Sequence, residues 1–160
     1  MIKKQYPIDV ENYPFKVKTD VQLRFNDLDG YGHANNASMQ AFFDIGRAAY
    51  MKECCGPEFY KGDSTMLVVS YSTDFLHQVH LEDDIEVRVA VHRIGYKSIS
   101  MIMAMVNKNT GAICAVSDSV MSGFSKRTQS SIPILESHFS TSESIFSIES
   151  IIKDTKRYES

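Results

Sequence analysis

The chain has 160 residues, of which 43% are hydrophobic and 23% charged, and its 17 basic and 20 acidic residues give a formal net charge of −3. A chain of this length buries about 70% of its unfolded surface, so we expect a single domain over residues 1–160, with a core at about 15–135 and a C-terminal extension at about 136–160. The ordinary composition excludes a disordered or fibrous protein. Lys and Arg do not cluster, which argues against nucleic acid as a partner.

The sequence also indicates where in the cell the protein is located. Its basic start resembles that of a signal peptide, but polar residues between positions 5 and 12 interrupt any apolar segment behind it. The chain contains no apolar run of about 18 residues, so we expect no membrane-spanning helix. The three cysteines, Cys54, Cys55 and Cys114, are odd in number and two are adjacent, which suits reduced thiols better than disulfides. We therefore expect a cytoplasmic protein.

The first predicted elements are a strand, a loop and a helix. Residues 17–25 alternate between apolar and polar, which predicts a half-buried strand, and Gly30 and Gly32 then require a loop. Asn35 or Asn36 can cap a following helix that ends at Gly56-Pro57. Its apolar face is predicted to contain Met39, Phe42, Phe43, Ile45, Ala49 and Tyr50. Gly46 inside this helix costs about 1 kcal/mol relative to Ala, which predicts close approach to a neighbouring backbone.

The rest of the chain reads mainly as strands, predicted at 66–75, 85–91, 99–106 and 112–124. Gly95 and the segment 108–111 mark tight hairpins between the last three. Isoleucines between positions 145 and 152 recur at helical spacing, which predicts a C-terminal amphipathic helix. This order favours an α+β fold with an antiparallel sheet and one packed helix.

Two aspartates precede the helix. If the strand alternation continued past Phe25, Asp27 and Asp29 would both enter a partly apolar environment, where desolvation and mutual repulsion would give the pair separated pKa values. The alternative is that Asp27 closes the turn by accepting hydrogen bonds from backbone amides. The amide near Asn36, at the positive end of the helix, could stabilise an oxyanion, while Asp29 attacks a carbonyl carbon or activates water. Thioester hydrolysis requires these two parts.

The stretch from Arg24 to Asn36, RFNDLDGYGHANN, followed by a helix with Arg47, resembles the signature of the hotdog-fold acyl-CoA thioesterases of the 4-hydroxybenzoyl-CoA thioesterase type. The resemblance covers roughly residues 15–135. It implies a five-stranded antiparallel sheet wrapped around a long helix, to which the C-terminal helix is added. It also implies that the protein is a homodimer or homotetramer with its active sites at the subunit interface.

The resemblance assigns the site residues. Asp29 is the catalytic carboxylate, the Asn36 amide polarises the thioester carbonyl, and we assign substrate contacts to Gly32, His33 and Asn35. Coenzyme A enters as part of the acyl-CoA substrate, and no metal or bound cofactor is expected. The chain departs from the family pattern at Met39, where an aromatic residue is common.

Other residues have two readings each. The cationic or polar residues near two strand ends could contact coenzyme A phosphates or be solvated surface groups; they are Lys97, Ser98, Lys126 and Arg127. For His33, a structural hydrogen bond is the alternative to substrate binding. His77 and His80 have a spacing that could suit a metal, but no third ligand is evident and a solvated turn is the preferred interpretation. Cys54 and Cys55 could be nucleophiles, but without a His partner they are interpreted as packing at the helix end, and Arg47 is interpreted as a partner of Asp44.

The predicted function is hydrolysis of an acyl-CoA. One alternative is a thioesterase that acts on acyl groups carried by acyl-carrier protein. The other is a noncatalytic acyl-thioester binding module, against which Asp29 argues, because a pure binder gains nothing from a desolvated carboxylate. A dehydratase is disfavoured, because the chain has no separate His-Asp hydratase motif.

Overall fold

The computed structural model describes residues 4–56 and 61–134. Within these ranges one long helix lies against an antiparallel sheet whose strand order is β1-β3-β4-β5-β2, with β6 paired to the end of β5. The elements are β1 Val17–Val21, α1 Asn36–Cys55, β2 Ser64–Phe75, β3 Ile85–Ile94, β4 Ser98–Asn107, β5 Ile113–Ser125 and β6 Ser130–Ser131. This is the predicted hotdog arrangement.

The number of strands differs from the prediction. The described residues form six strands, because the two-residue β6 adds to the five that the sequence indicated. Its two serines carry no apolar alternation, so no pattern could announce it. Both predicted hairpins are confirmed, and the predicted C-terminal helix lies outside the described residues.

Helix α1 buries one stripe against the sheet and lies over β1, β3 and β4. Met39, Phe42, Phe43 and Tyr50 are buried as predicted. The prediction was wrong for Ile45, which is 46% exposed, because at 3.6 residues per turn it lies nearly opposite the centre of the buried stripe.

Gly46 marks the closest approach of α1 to the sheet. A Cβ at this position would lie 2.4 Å from Val87 Cγ1 and 3.2 Å from Val89 Cγ2, both on β3. The predicted close approach is confirmed, although the neighbours are side chains rather than backbone. The absence of a side chain therefore fixes how near the helix sits to β3.

The other face of the sheet is covered by the N-terminal segment, residues 4–16, which the sequence patterns did not assign to any position. A second apolar cluster forms beneath it, made of Val10, Phe15, Ala90, Ile102, Ala104, Val106 and Val116. Among the residues that the structure describes, no helix combines the length and apolarity needed to cross a membrane.

Candidate active site

The site begins where β1 ends. A 3-10 turn, Phe25–Asp27, follows soon after Val21, and its entry is fixed by Asp27 Oδ2, which accepts a hydrogen bond from the Arg24 amide at 2.8 Å. The predicted continuation of the strand to Phe25 is therefore wrong, and the Phe25 side chain is 79% exposed. A side-chain oxygen that satisfies a backbone amide here competes with the sheet ladder and turns the chain.

Between this turn and α1 the chain folds back on itself as a short hairpin. The Asn35 amide donates to the Asp27 carbonyl at 2.9 Å, and the Asp29 amide donates to the His33 carbonyl at 2.8 Å. Leu28 and Ala34 form the backbone pair between these two hydrogen bonds. Asp29 therefore lies opposite His33, two residues or about 7 Å along the hairpin from the Asp27–Asn35 pair that precedes the helix.

The two aspartates have different environments. Asp27 is buried, with 5% of its surface exposed, whereas Asp29 is exposed. Asp29 Oδ1 accepts hydrogen bonds from the amides of Tyr31 at 2.8 Å and His33 at 3.1 Å, and these bonds lower the pKa of Asp29 below its usual value. The prediction that desolvation would act on both carboxylates is wrong for Asp29, because the tip of the hairpin that carries Asp29 is exposed to solvent. The alternative reading of Asp27, as the residue that closes the turn, is confirmed.

The N-terminus of α1 lies directly after the hairpin. Of the two predicted caps, Asn35 is the one used, and its side chain accepts a hydrogen bond from the Ser38 amide at 2.8 Å. The first helical bond runs from the Met39 amide to the Asn35 carbonyl at 3.0 Å. The amides of Asn36 and Ala37 precede that bond and have no partner inside the helix, so they are available to an incoming acceptor.

The other residues of the glycine-histidine run shape the hairpin. Gly32 has a φ of +80°, a left-handed conformation that glycine adopts without strain. His80 begins the turn that the sequence predicted, where the Asp83 amide donates to the His80 carbonyl, and its ring also meets the His33 ring at 4.9 Å between centroids. The described residues contain no group of three or more side chains placed to hold a metal ion.

The residues predicted to contact coenzyme A phosphates lie far from Asp29 within one chain. Residues 76 and 77, near the Asp29 hairpin, bind the start of β5 at Cys114, whereas Lys126 and Arg127 follow the end of β5. Lys97 and Ser98 lie beside that same far end, where the Gly123 amide donates to the Lys97 carbonyl. Along β5 the separation is about 40 Å, so one chain does not bring these residues to Asp29.

Two further predictions are confirmed, the pairing of Arg47 with Asp44 and the packing of Cys54 and Cys55 at the helix end. The Arg47 guanidinium pairs with Asp44 through Nη1, and the Arg47 side chain is only 7% exposed. Burial raises the pKa of Cys55 to about 12, and Cys54 at the helix end is fully buried, in accord with a packing role. Low-pKa thiolates are the nucleophilic form of cysteine, so neither thiol is placed for chemistry.

Comparison with known proteins agrees with the class that the fold and the hairpin define, a thioesterase-like hotdog protein. The model of the Thioesterase-like superfamily matches residues 23–140, and the chain belongs to that superfamily. The uncharacterized protein YsmA of Bacillus subtilis (strain 168) is 29% identical over 115 residues, which cover 68% of this chain and 77% of YsmA.

Similar solved structures include the following two. The PA5185 protein of Pseudomonas aeruginosa strain PAO1 is 29% identical with a TM-score of 0.70, over 76% of this chain and 85% of that one. A thioesterase from Thermus thermophilus, complexed with coenzyme A and Zn, is 25% identical with a TM-score of 0.69, over 78% of this chain and 94% of that one.

Proposed function

We propose that the protein is an acyl-CoA thioesterase of the 4-hydroxybenzoyl-CoA thioesterase type. The observation that supports the proposal is the hairpin between β1 and α1. Asp29, whose pKa is lowered, lies about 7 Å along its backbone from the Asp27–Asn35 pair, and the first amides of α1, which have no partner inside the helix, follow that pair directly. A carboxylate and a fixed oxyanion donor on one short loop suit attack on a polarised carbonyl.

In this reaction the thioester oxygen accepts a hydrogen bond from the Asn36 amide, which stabilises negative charge as the tetrahedral intermediate forms. Asp29 acts in one of two ways. As a general base it takes a proton from the attacking water, and as a nucleophile it forms an anhydride that water then hydrolyses. In both cases the carbon–sulfur bond breaks, coenzyme A leaves as a thiolate that is then protonated, and the acyl group leaves as a free acid.

The neighbouring residues support these two groups. Gly32 allows the turn that carries the Tyr31 and His33 amides to Asp29, and His33 borders the carboxylate. The Asn35 side chain is used by the Ser38 amide, so we assign it the task of fixing the first turn of α1 beside the substrate.

We further propose that the enzyme works as a homodimer paired through β2. This 12-residue strand lies at the edge of the sheet and exposes large apolar side chains, namely Leu67, Val68, Val69, Tyr71 and Phe75. Monomeric proteins protect such edges, so an exposed one favours pairing with a second copy.

Two-fold antiparallel pairing of β2 also suggests which residues contact the phosphates of coenzyme A. The start of β2 adjoins Lys126 and Arg127, whose amides bind Asp63, and the end of β2 leads to the Asp29 hairpin. Antiparallel pairing lays the start of one β2 beside the end of the other. Lys97, Ser98, Lys126 and Arg127 of the partner subunit are therefore our candidates for the coenzyme A phosphates. A cytoplasmic location is proposed as well, because the three cysteines form no disulfide among the described residues.

The proposal is tested by free thiol release from a panel of acetyl-, hexanoyl-, palmitoyl- and 4-hydroxybenzoyl-CoA. Each acyl group is also supplied on acyl-carrier protein and on pantetheine. Faster hydrolysis of the CoA esters supports the proposal, and faster hydrolysis of the carrier-protein esters favours that alternative. Calorimetric binding without thiol release from any donor indicates a binding module and refutes the enzyme.

The phosphate contacts are tested by the paired variants Lys126→Ala and Arg127→Ala. We expect a higher KM for the CoA ester and an unchanged KM for the pantetheine ester, which has no nucleotide phosphates. An equal change for both donors would contradict the assignment.

A further inference from the structure

The connection between β2 and β3, residues 76–84, reaches the candidate site through His80. The His80 and His33 rings meet edge to face, with centroids 4.9 Å apart and planes at 81°. Their backbones form an antiparallel bridge, and the neighbouring Ala34 amide donates to the Val79 carbonyl at 2.7 Å. The ring contact is therefore supported by backbone pairing and does not depend on side-chain packing alone.

Asp83 holds His80 from the other side. Its Oδ2 accepts a hydrogen bond from the His80 amide at 2.8 Å and lies 3.5 Å from His80 Nδ1, and the Asp83 amide donates back to the His80 carbonyl at 3.1 Å. The Asp83 side chain is only 17% exposed, against 43% for His80. A more buried carboxylate thus anchors a more exposed imidazole.

His33 continues the series to Asp29. Its amide donates to Asp29 Oδ1 at 3.1 Å, and its carbonyl accepts from the Asp29 amide at 2.8 Å. Asp83, His80, His33 and Asp29 therefore form one connected row from the β2–β3 connection to the exposed carboxylate.

We propose that His80 is a positioning residue, whose ring, anchored by Asp83, fixes His33 and through it the orientation of the Asp29 carboxylate. This inference rests on the proposed thioesterase function. Without the His80 ring, only the backbone pairing still holds His33, so the His33 amide that donates to Asp29 Oδ1 is less firmly fixed. Because reacting groups must meet within a fraction of an ångström, this looser placement lowers kcat more than it changes KM.

The test is a double-mutant cycle on the panel ester that the wild type hydrolyses fastest. We expect His80→Ala to lower kcat by about 10-fold to 100-fold with a small change in KM. The double variant of His80→Ala and His33→Ala should be no slower than His33→Ala alone, because His80 acts through His33. His80→Phe retains an edge-to-face ring and should restore most of the rate. His77→Ala, at an exposed position on the same connection, is the matched control and should match the wild type.

Two kinetic results overturn the inference: independent, additive losses for His33 and His80, or equal losses for His80→Ala and His80→Phe. Amide hydrogen exchange of His33, followed by NMR, provides a second measurement that needs no substrate and does not depend on the ring current of His80. Exchange should become faster in His80→Ala and return towards the wild-type rate in His80→Phe, and an unchanged rate in His80→Ala overturns the inference. If the wild type releases no thiol from any donor, the proposed function fails and the NMR result alone decides the positioning.

Discussion

The Asn36 amide can be removed without removing the helix, because Asn36 is the first residue of α1. Proline has no N–H and is favoured at this position, and the preceding Asn35, at φ −73° and ψ 158°, already has the extended conformation that a following proline requires. The first helical hydrogen bond comes from the Met39 amide, so Asn36→Pro breaks none. We expect kcat to fall about 100-fold to 1000-fold, or about 2.7–4 kcal/mol, the usual effect of losing one oxyanion donor.

The matched control is Asn36→Ala, which keeps the amide and removes only the side chain. Thiol release under saturating acyl-CoA measures kcat for both variants, and thermal unfolding checks that the helix is intact. Asn36→Ala should remain within a few-fold of the wild type. A proline variant that folds normally and keeps the wild-type kcat would refute the assignment of this amide to the oxyanion.

Three further predictions concern packing, assembly and pH. Gly46→Ala should lower the free energy of unfolding by about 1–2 kcal/mol in chemical denaturation, because overpacking against Val87 outweighs a helix-propensity gain of roughly 1 kcal/mol; a stabilised variant would contradict the packing. Val69→Lys on the β2 edge should convert the proposed dimer to monomers in light scattering and reduce thiol release, whereas a dimer that is unchanged in the variant would exclude this edge. In the pH profile of kcat/KM, the loss of activity caused by protonation of Asp29 should have its midpoint below pH 3.8, because backbone hydrogen bonds favour the ionised carboxylate. A midpoint above pH 3.8 that persists in His33→Gln, where the His33 imidazole cannot be its source, would contradict the geometry.

Much of the fold could be predicted because its signals are local. Alternation and helical spacing identified five strands and the long helix, and the lone Gly46 indicated where the helix approaches the sheet. The end of β1 at Val21 could not be predicted from alternation, because its partner strand β3 begins opposite it at Ile85 and the Asp27 carboxylate then turns the chain at Arg24, while the apolar pattern continues to Phe25. The position of residues 4–16 depends on the outer face of the finished sheet, a nonlocal surface.

The residues of the candidate site could be predicted where they are close in sequence and could not where they are distant. Asp29, the Asn35 cap and the start of the helix lie within ten residues of each other, so their proximity follows from the sequence. His80 is distant in sequence and reaches His33 only because the β2–β3 connection passes the hairpin. Lys126 and Arg127 are separated from Asp29 by the length of β5, and no pattern within one chain could reveal whether a second copy joins them.

The proposed mechanism assigns the hydrolysis to Asp29 and only the shaping of the loop to Asp27. The most direct measurement is kcat for thiol release by Asp29→Asn and Asp27→Asn on the panel ester that the wild type hydrolyses fastest. We expect Asp29→Asn to lose about 100-fold or more with little change in KM. Asp27→Asn, which keeps an oxygen for the Arg24 amide, should stay within about 10-fold of the wild type. Full activity in Asp29→Asn, or a larger loss in Asp27→Asn, would contradict the account.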